Sequence, residues 1–143
     1  LRDIIRKNLD FLRPELDRKG ITVKAQMDGR PLKLPADYGQ LYRAFLNIFI
    51  NASQAMENGG SIEVYVEEEK ENFRIKIQDT GMGIRPENIK KIFNPFFTTK
   101  DKGTGLGLAI VRKIIEGHKG KITIESQEGK GTRVEILLPR QAS

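Results

Sequence analysis

Three groups of residues in this chain break an otherwise regular apolar pattern, and their types suit ligand chemistry. In the segment 38–57, a helix turning about 100° per residue gathers Gln40, Arg43, Asn47, Asn51 and Gln54 in a sector about 80° wide. Asn47 and Asn51, four residues apart, stack one turn above each other. Asparagine is a poor helix former, so two on one stripe need a reason. The stripe reads either as a solvated face or as the lining of a cleft. The second break is on a strand. In NFRIKIQD (72–79), Phe73, Ile75 and Ile77 share a face, and the period of two puts Asp79 on that same face. A carboxylate aimed inward must find donors. It is either a strand-end residue bonding its own backbone or an acceptor for a ligand amine. Thr132 repeats the break near the end of the chain, in phase with Val134, Ile136 and Leu138.

Glycines form the third group. Gly81 and Gly83 follow the inward aspartate. In FNPFFTTKDKGTGLGLAIVRK (93–113), Gly103, Gly105 and Gly107 follow three phenylalanines and two lysines and precede an apolar, helix-like run. Glycine weakens regular structure by roughly 0.5–1 kcal/mol relative to alanine, so a packing segment would avoid such spacing. Successive amides with no Cβ in the way, at the start of a helix, make a cradle for phosphate. The spacing matches neither GxxxxGK[ST] nor a GxGxxG after the first strand.

The remaining sequence supplies elements to position these groups. Ile4, Ile5, Leu9, Leu12 and Leu16 predict a first helix ended by Gly20, followed by a strand at ITVKAQM and a short strand around LKL. Asp37 caps a helix over 38–57 with Leu41, Phe45, Ile48, Ala52 and Ala55 toward the core, stopped by Asn58-Gly59-Gly60. A hairpin is expected over 61–69 and 72–79, then a short helix opened by Pro86, a loop over 93–103, a helix over 105–117, and strands near 120–126 and 131–138. This order predicts a two-layer α/β domain, a mixed sheet with one face covered by helices.

Composition narrows the classes. The 143 residues suit one domain. The absence of cysteine excludes disulfides and thiolate metal sites, and His118 is the one histidine. No apolar run approaches the roughly 20 residues of a membrane span, so a soluble chain is expected. It starts without methionine on a helical pattern and is expected to be a piece of a longer protein. Basic and acidic side chains balance over residues 1–84, so the net charge of +6 arises in 85–143 and favours an anionic partner there.

These residues carry a resemblance. NIFINASQA (47–55), DTGMG (79–83), FNPFF (93–97), GTGLGL (103–108) and GTRVEI (131–136) resemble, in order, the N box, first glycine box, F box, second glycine box and final motif of the ATP-binding catalytic domain of bacterial sensor histidine kinases. That domain lies in the superfamily shared with gyrase, Hsp90 and MutL, and the wording FFTTK then GTGLGLAI is most similar to kinases of the nitrogen-regulation type. The resemblance implies the Bergerat fold, a two-layer α/β (α+β) sandwich whose mixed five-stranded sheet has one face covered by three helices. It also implies a single domain over 1–143 and an ATP lid at about 93–105.

The resemblance further implies residue roles. Asp79 would accept from the adenine amine, with Thr132 beside it. Asn51 would coordinate Mg²⁺, and Asn47 would stand where the ATPase relatives carry a water-activating glutamate. Gln54 holds a place that is basic in many of these kinases. Gly81, Gly83, Ile84, Phe97, Thr98, Thr99, Lys100, Lys102, Gly103, Thr104, Gly105, Leu106, Gly107, Leu108 and Thr132 complete the expected ATP contacts. Implied partners are ATP or ADP, the dimerisation and histidine phosphotransfer domain of the same kinase, and a response regulator receiver domain. No nucleic acid and no direct membrane contact are expected of this cytoplasmic segment, whose full-length protein can be membrane-anchored. The acceptor histidine should come from elsewhere, because His118 in EGHKG lacks an acidic neighbour and reads as a solvent-facing helix-end residue. Alternatives are an ATPase switch, an anti-sigma-type serine kinase and, from charge alone, a nucleic-acid binder.

Overall fold

An apolar stripe at helical spacing builds α1 (Arg2–Lys19), in which Ile4, Ile5, Leu9, Leu12 and Leu16 are all buried. Gly20, at φ +75°, turns the chain out of that helix directly into β1 (Ile21–Met27). The remaining elements of this computed structural model are α2 (Tyr38–Gln54), β2 (Gly60–Glu68), β3 (Asn72–Asp79), α3 (Gly107–Gly117), β4 (Lys121–Gln127) and β5 (Gly131–Pro139). The structure describes residues 2–27, 37–84, 87 and 107–139. The short strand expected around LKL, the helix opened by Pro86 and the loop over 93–103 lie outside them, apart from Glu87.

The strands form one mixed sheet in the order β1-β2-β3-β5-β4, with β1 parallel to β2 and every other pairing antiparallel. Alternation sorts its residues. Ile62, Val64, Val66, Phe73, Ile75, Ile77, Val134, Ile136 and Leu138 are buried on one face, where they meet the apolar sides of α1, α2 and α3 in a single core. Phe45 and Phe49 of α2 and Val111 and Ile115 of α3 are completely enclosed there. The expected two-layer sandwich is therefore the observed one. The opposite face carries Glu63, Tyr65, Arg74, Lys76, Arg133 and Glu135. Arg74 pairs there with Glu69 at 2.9 Å and with Glu135, which holds the guanidinium above its ordinary pKa and the Glu69 carboxyl below its own.

The start of α2 is the expected one. Asp37 has extended backbone geometry and its carboxylate accepts from the Gln40 amide at 3.1 Å. The helix ends at Gln54, three residues short of the expected 57. The Ala55 carbonyl accepts instead from the Met82 amide at 3.2 Å, while the Gly59 amide turns to Met56 at 3.1 Å. The end of α2 is therefore tied to the loop after β3.

Candidate functional site

Asp79 closes β3 in phase with buried Phe73, Ile75 and Ile77 and is itself only 7% exposed. Its Oδ1 accepts from the Gly81 amide at 2.8 Å, so the backbone-bonding role is realised on the inner face of the sheet. Its register partner on β5 is Thr132, which places the two side chains next to each other on one face. The Thr132 hydroxyl lies 2.8 Å from Ser126 Oγ on β4. Ser126 in turn accepts from the Ile84 amide at 2.7 Å and donates to the Gly131 carbonyl at 3.0 Å. One serine thus joins the loop after β3 to the pair of strands that carries Thr132. Sequence reasoning missed Ser126, because its partners are set by the register of β4 on β5.

The first two glycines have steric reasons of their own. A Cβ on Gly81 would come within 2.7 Å of the Ala55 side chain, and one on Gly83, at φ +75°, within 2.2 Å of the Gln127 carbonyl. The loop is wedged between the end of α2 and the turn joining β4 to β5, where the Gly129 amide donates to the Met82 carbonyl at 2.7 Å. Met82 itself is exposed.

The polar stripe of α2 divides along its length. Gln40 and Arg43 are exposed, whereas Asn47, Asn51 and Gln54 are half-buried. Ala55, the contact point for Gly81, lies one turn beyond Asn51, so Asn51 and Asn47 continue the same side of α2 away from the Asp79 loop. Gln54 turns the other way and lines a groove against α1 with Phe11, Pro14, Lys19 and Ile50. The structure thus sets Asp79 beside Gly81 and Thr132, links Ile84 to Thr132 through Ser126 and seats Gly83 against Gln127, places Asn47 and Asn51 on the adjoining helix, and sets Gln54 at its border. Gly107 opens α3, whose buried Val111 and Ile115 join the core, and Leu108 is half-buried. Phe97, Thr98, Thr99, Lys100, Lys102, Gly103, Thr104, Gly105 and Leu106 lie outside the described residues.

His118 is not simply solvent-facing. It is half-buried, with Nδ1 2.8 Å from the Ile114 carbonyl and Nε2 3.1 Å from the Asp37 amide. A carbonyl only accepts, so Nδ1 carries the hydrogen and Nε2 receives the Asp37 N–H. Both ring nitrogens are engaged in joining the end of α3 to the cap of α2.

No group of three or more His, Cys, Asp or Glu side chains among the described residues could cage a metal ion. The amide oxygen of Asn51, the residue expected to hold Mg²⁺, would suffice without such a cage, since Mg²⁺ keeps several waters and phosphate oxygens and needs few protein ligands. Among the described residues, no helix is long and apolar enough to cross a membrane.

Comparison with known proteins identifies the family and the fold. Residues 36–142 match the family described as histidine kinase-, DNA gyrase B- and HSP90-like ATPase. Sporulation kinase E of Bacillus subtilis is 36% identical over 137 residues, 95% of this chain and 19% of the relative. Sensor histidine kinase ZraS of Escherichia coli K12 is 36% identical over 139 residues, 97% of this chain and 30% of the relative. The chain therefore spans less than a third of the length of these curated relatives. Among solved structures, the nucleotide-free catalytic domain of histidine kinase ThkA superposes with a TM-score of 0.88 at 34% identity, covering 99% of this chain and 93% of that one. ThkA in complex with response regulator protein TrrA gives 0.82 at 31%, covering 98% and 40%. Motif order, sheet topology and these likenesses converge: the chain belongs to the histidine kinase-, DNA gyrase B- and HSP90-like ATPase family, on its histidine kinase branch.

Proposed function

We propose that this chain is the ATP-binding catalytic domain of a two-component sensor histidine kinase, cytoplasmic and part of a longer protein. It binds Mg-ATP and delivers the γ-phosphoryl group to a histidine on a separate dimerisation and phosphotransfer domain. A response regulator receiver domain then takes the phosphoryl group, a partner class suggested by the ThkA–TrrA complex. The observation that carries this reading is the pairing of Asp79 with Thr132 on the inner face of the sheet, beside the helix that bears Asn47 and Asn51. A carboxylate and a hydroxyl at the end of an apolar floor suit the amine edge of adenine. Phosphates extending from it toward α2 would meet the two asparagines.

Phosphoryl transfer asks little covalent chemistry of a protein, so this chain contributes position and charge. Asn51 would hold Mg²⁺, which when bound neutralises phosphate charge. Asn47 would orient the phosphates; an amide is not a general base, which fits a domain that must keep ATP from water until the acceptor imidazole arrives. Lys100 and Lys102, with the amides at 103–107, would balance charge on the transferring group. The FFTTK and GTGLGLAI wording supports a nitrogen-regulation-like kinase within this class. The test is to mix the chain with Mg-ATP and a matching dimerisation domain and assay acid-labile phosphate on the latter. Transfer with little ATP hydrolysis is expected, and hydrolysis without transfer would favour an ATPase switch. Asn51→Ala should remove the magnesium-dependent part of ADP affinity, read by calorimetry with and without Mg²⁺; an unchanged Mg²⁺ effect would reject the metal assignment.

A further inference from the structure

We infer that Ser126 is a specificity-determining positioning residue, which fixes the Thr132 hydroxyl as an acceptor toward the bound base. The inference rests on the adenine reading of the Asp79–Thr132 pair. It follows from counting hydrogens. A serine hydroxyl has one hydrogen to give and two lone pairs to fill. Ser126 Oγ lies 3.0 Å from the Gly131 carbonyl, an atom that can only accept, whereas the Thr132 hydroxyl can also donate, and we assign the serine hydrogen to the carbonyl. One lone pair takes the Ile84 N–H at 2.7 Å. The contact of 2.8 Å with Thr132 Oγ1 then needs a hydrogen from the threonine, which fills the second lone pair. Ser126 is complete, and Thr132 has spent its only hydrogen within the protein. What Thr132 has left for a ligand is lone pairs.

A carboxylate is likewise an acceptor, so Asp79 and Thr132 ask for the same thing from opposite strands. A base edge carrying an amino group supplies two hydrogens to such a pair, directly or through a water. A base carrying a carbonyl there brings a third acceptor among acceptors, a mismatch that polar sites reject strongly. Without Ser126, Thr132 could rotate its hydrogen toward the ligand and satisfy a carbonyl. On this account Ser126 touches no nucleotide atom and sets the direction in which another residue bonds.

The experiment compares Mg-ADP with Mg-IDP, whose hypoxanthine has a carbonyl in place of the adenine amine, by calorimetry on the 143-residue chain. The parent should prefer ADP. Ser126→Ala should lower the ADP-to-IDP affinity ratio by about tenfold, the scale of one hydrogen bond reversed, with Ser126→Thr retaining the ratio. In a Thr132→Val background, Ser126→Ala should leave the ratio where Thr132→Val alone puts it, because the residue it acts through is gone. Should Ser126→Ala fail to fold, Ser126→Cys carries the same comparison with a poor acceptor of similar shape. A parental ratio in Ser126→Ala overturns the role given to Ser126 while leaving the adenine site standing. So does an equal loss in both backgrounds, which marks a structural residue. Equal affinity of the parent for ADP and IDP overturns the adenine reading itself.

Discussion

Strands β3 and β5 carry two polar constellations that differ by one step in parity. On the outer face, one guanidinium, Arg74, bridges two carboxylates, Glu69 and Glu135. On the inner face, Asp79 accepts from the Gly81 backbone amide and the Thr132 hydroxyl meets that of Ser126. The outer cluster is half-exposed and screened by water, so its geometry is undemanding and it contributes little. The inner pair sits at the end of an apolar floor, where each hydrogen-bonding capacity must be assigned. The same strands therefore hold a solubilising surface and a recognition element, and the period of two decides which residue serves which.

The largest way to break this contrast is Asp79→Asn. It keeps the shape and an oxygen for the Gly81 amide while removing a charged acceptor, so Mg-ADP affinity should fall by about 10–100-fold with the thermal transition nearly unchanged. Equal losses of affinity and stability would mean that Asp79 serves the fold alone. Next is Gly83→Ala, which forces a Cβ at φ +75° to within 2.2 Å of the Gln127 carbonyl. Destabilisation of about 1–3 kcal/mol in chemical denaturation is expected, with weaker nucleotide binding because the loop carrying Ile84 moves. Arg74→Met on the outer face should change stability by less than about 1 kcal/mol and leave ADP affinity alone; a change in affinity would show that the two faces are coupled.

The smallest effect separates the faces by pH. The hydrogen bond from Arg74 holds the Glu69 carboxyl below its ordinary pKa, so the folded chain takes up this proton later than the unfolded one. The stabilisation is thus present above the unfolded value of about 4.3 and fades as pH falls through the lowered folded value. Glu15, lowered by Arg18 and then Lys19, acts with the same sign. Glu69→Gln should flatten the acid limb of a stability–pH profile, and an unaltered limb would remove Glu69 from that account.

Much of this was legible in the sequence, and each departure has a local cause. The first helix, β1, the hairpin of β2 and β3, the cap at Asp37 and the inward phase of Asp79 follow from periodicity and turn residues. The end of α2 was not readable, because the Ala55 carbonyl is claimed by Met82, a residue from another part of the chain. Gln54 shares a helical-wheel sector with Asn51 but faces α1, since a wheel gives direction and not neighbours. Ser126 stands out from the other polar strand residues only through the register of β4, which sets it opposite Thr132. His118 looked solvent-facing because the amide it accepts from is 81 residues away.

That imidazole has a practical use. It is the only one in the chain, so its ring nuclei give unambiguous magnetic resonance signals, and the two nitrogens should report a single Nδ1–H tautomer. It clasps the terminus of the helix that follows the glycine-rich segment to the cap residue of the helix bearing both asparagines. A titration with nucleotide can therefore be followed at one native spectator, whose signals shift if the two helices slide and stay still if only side chains rearrange.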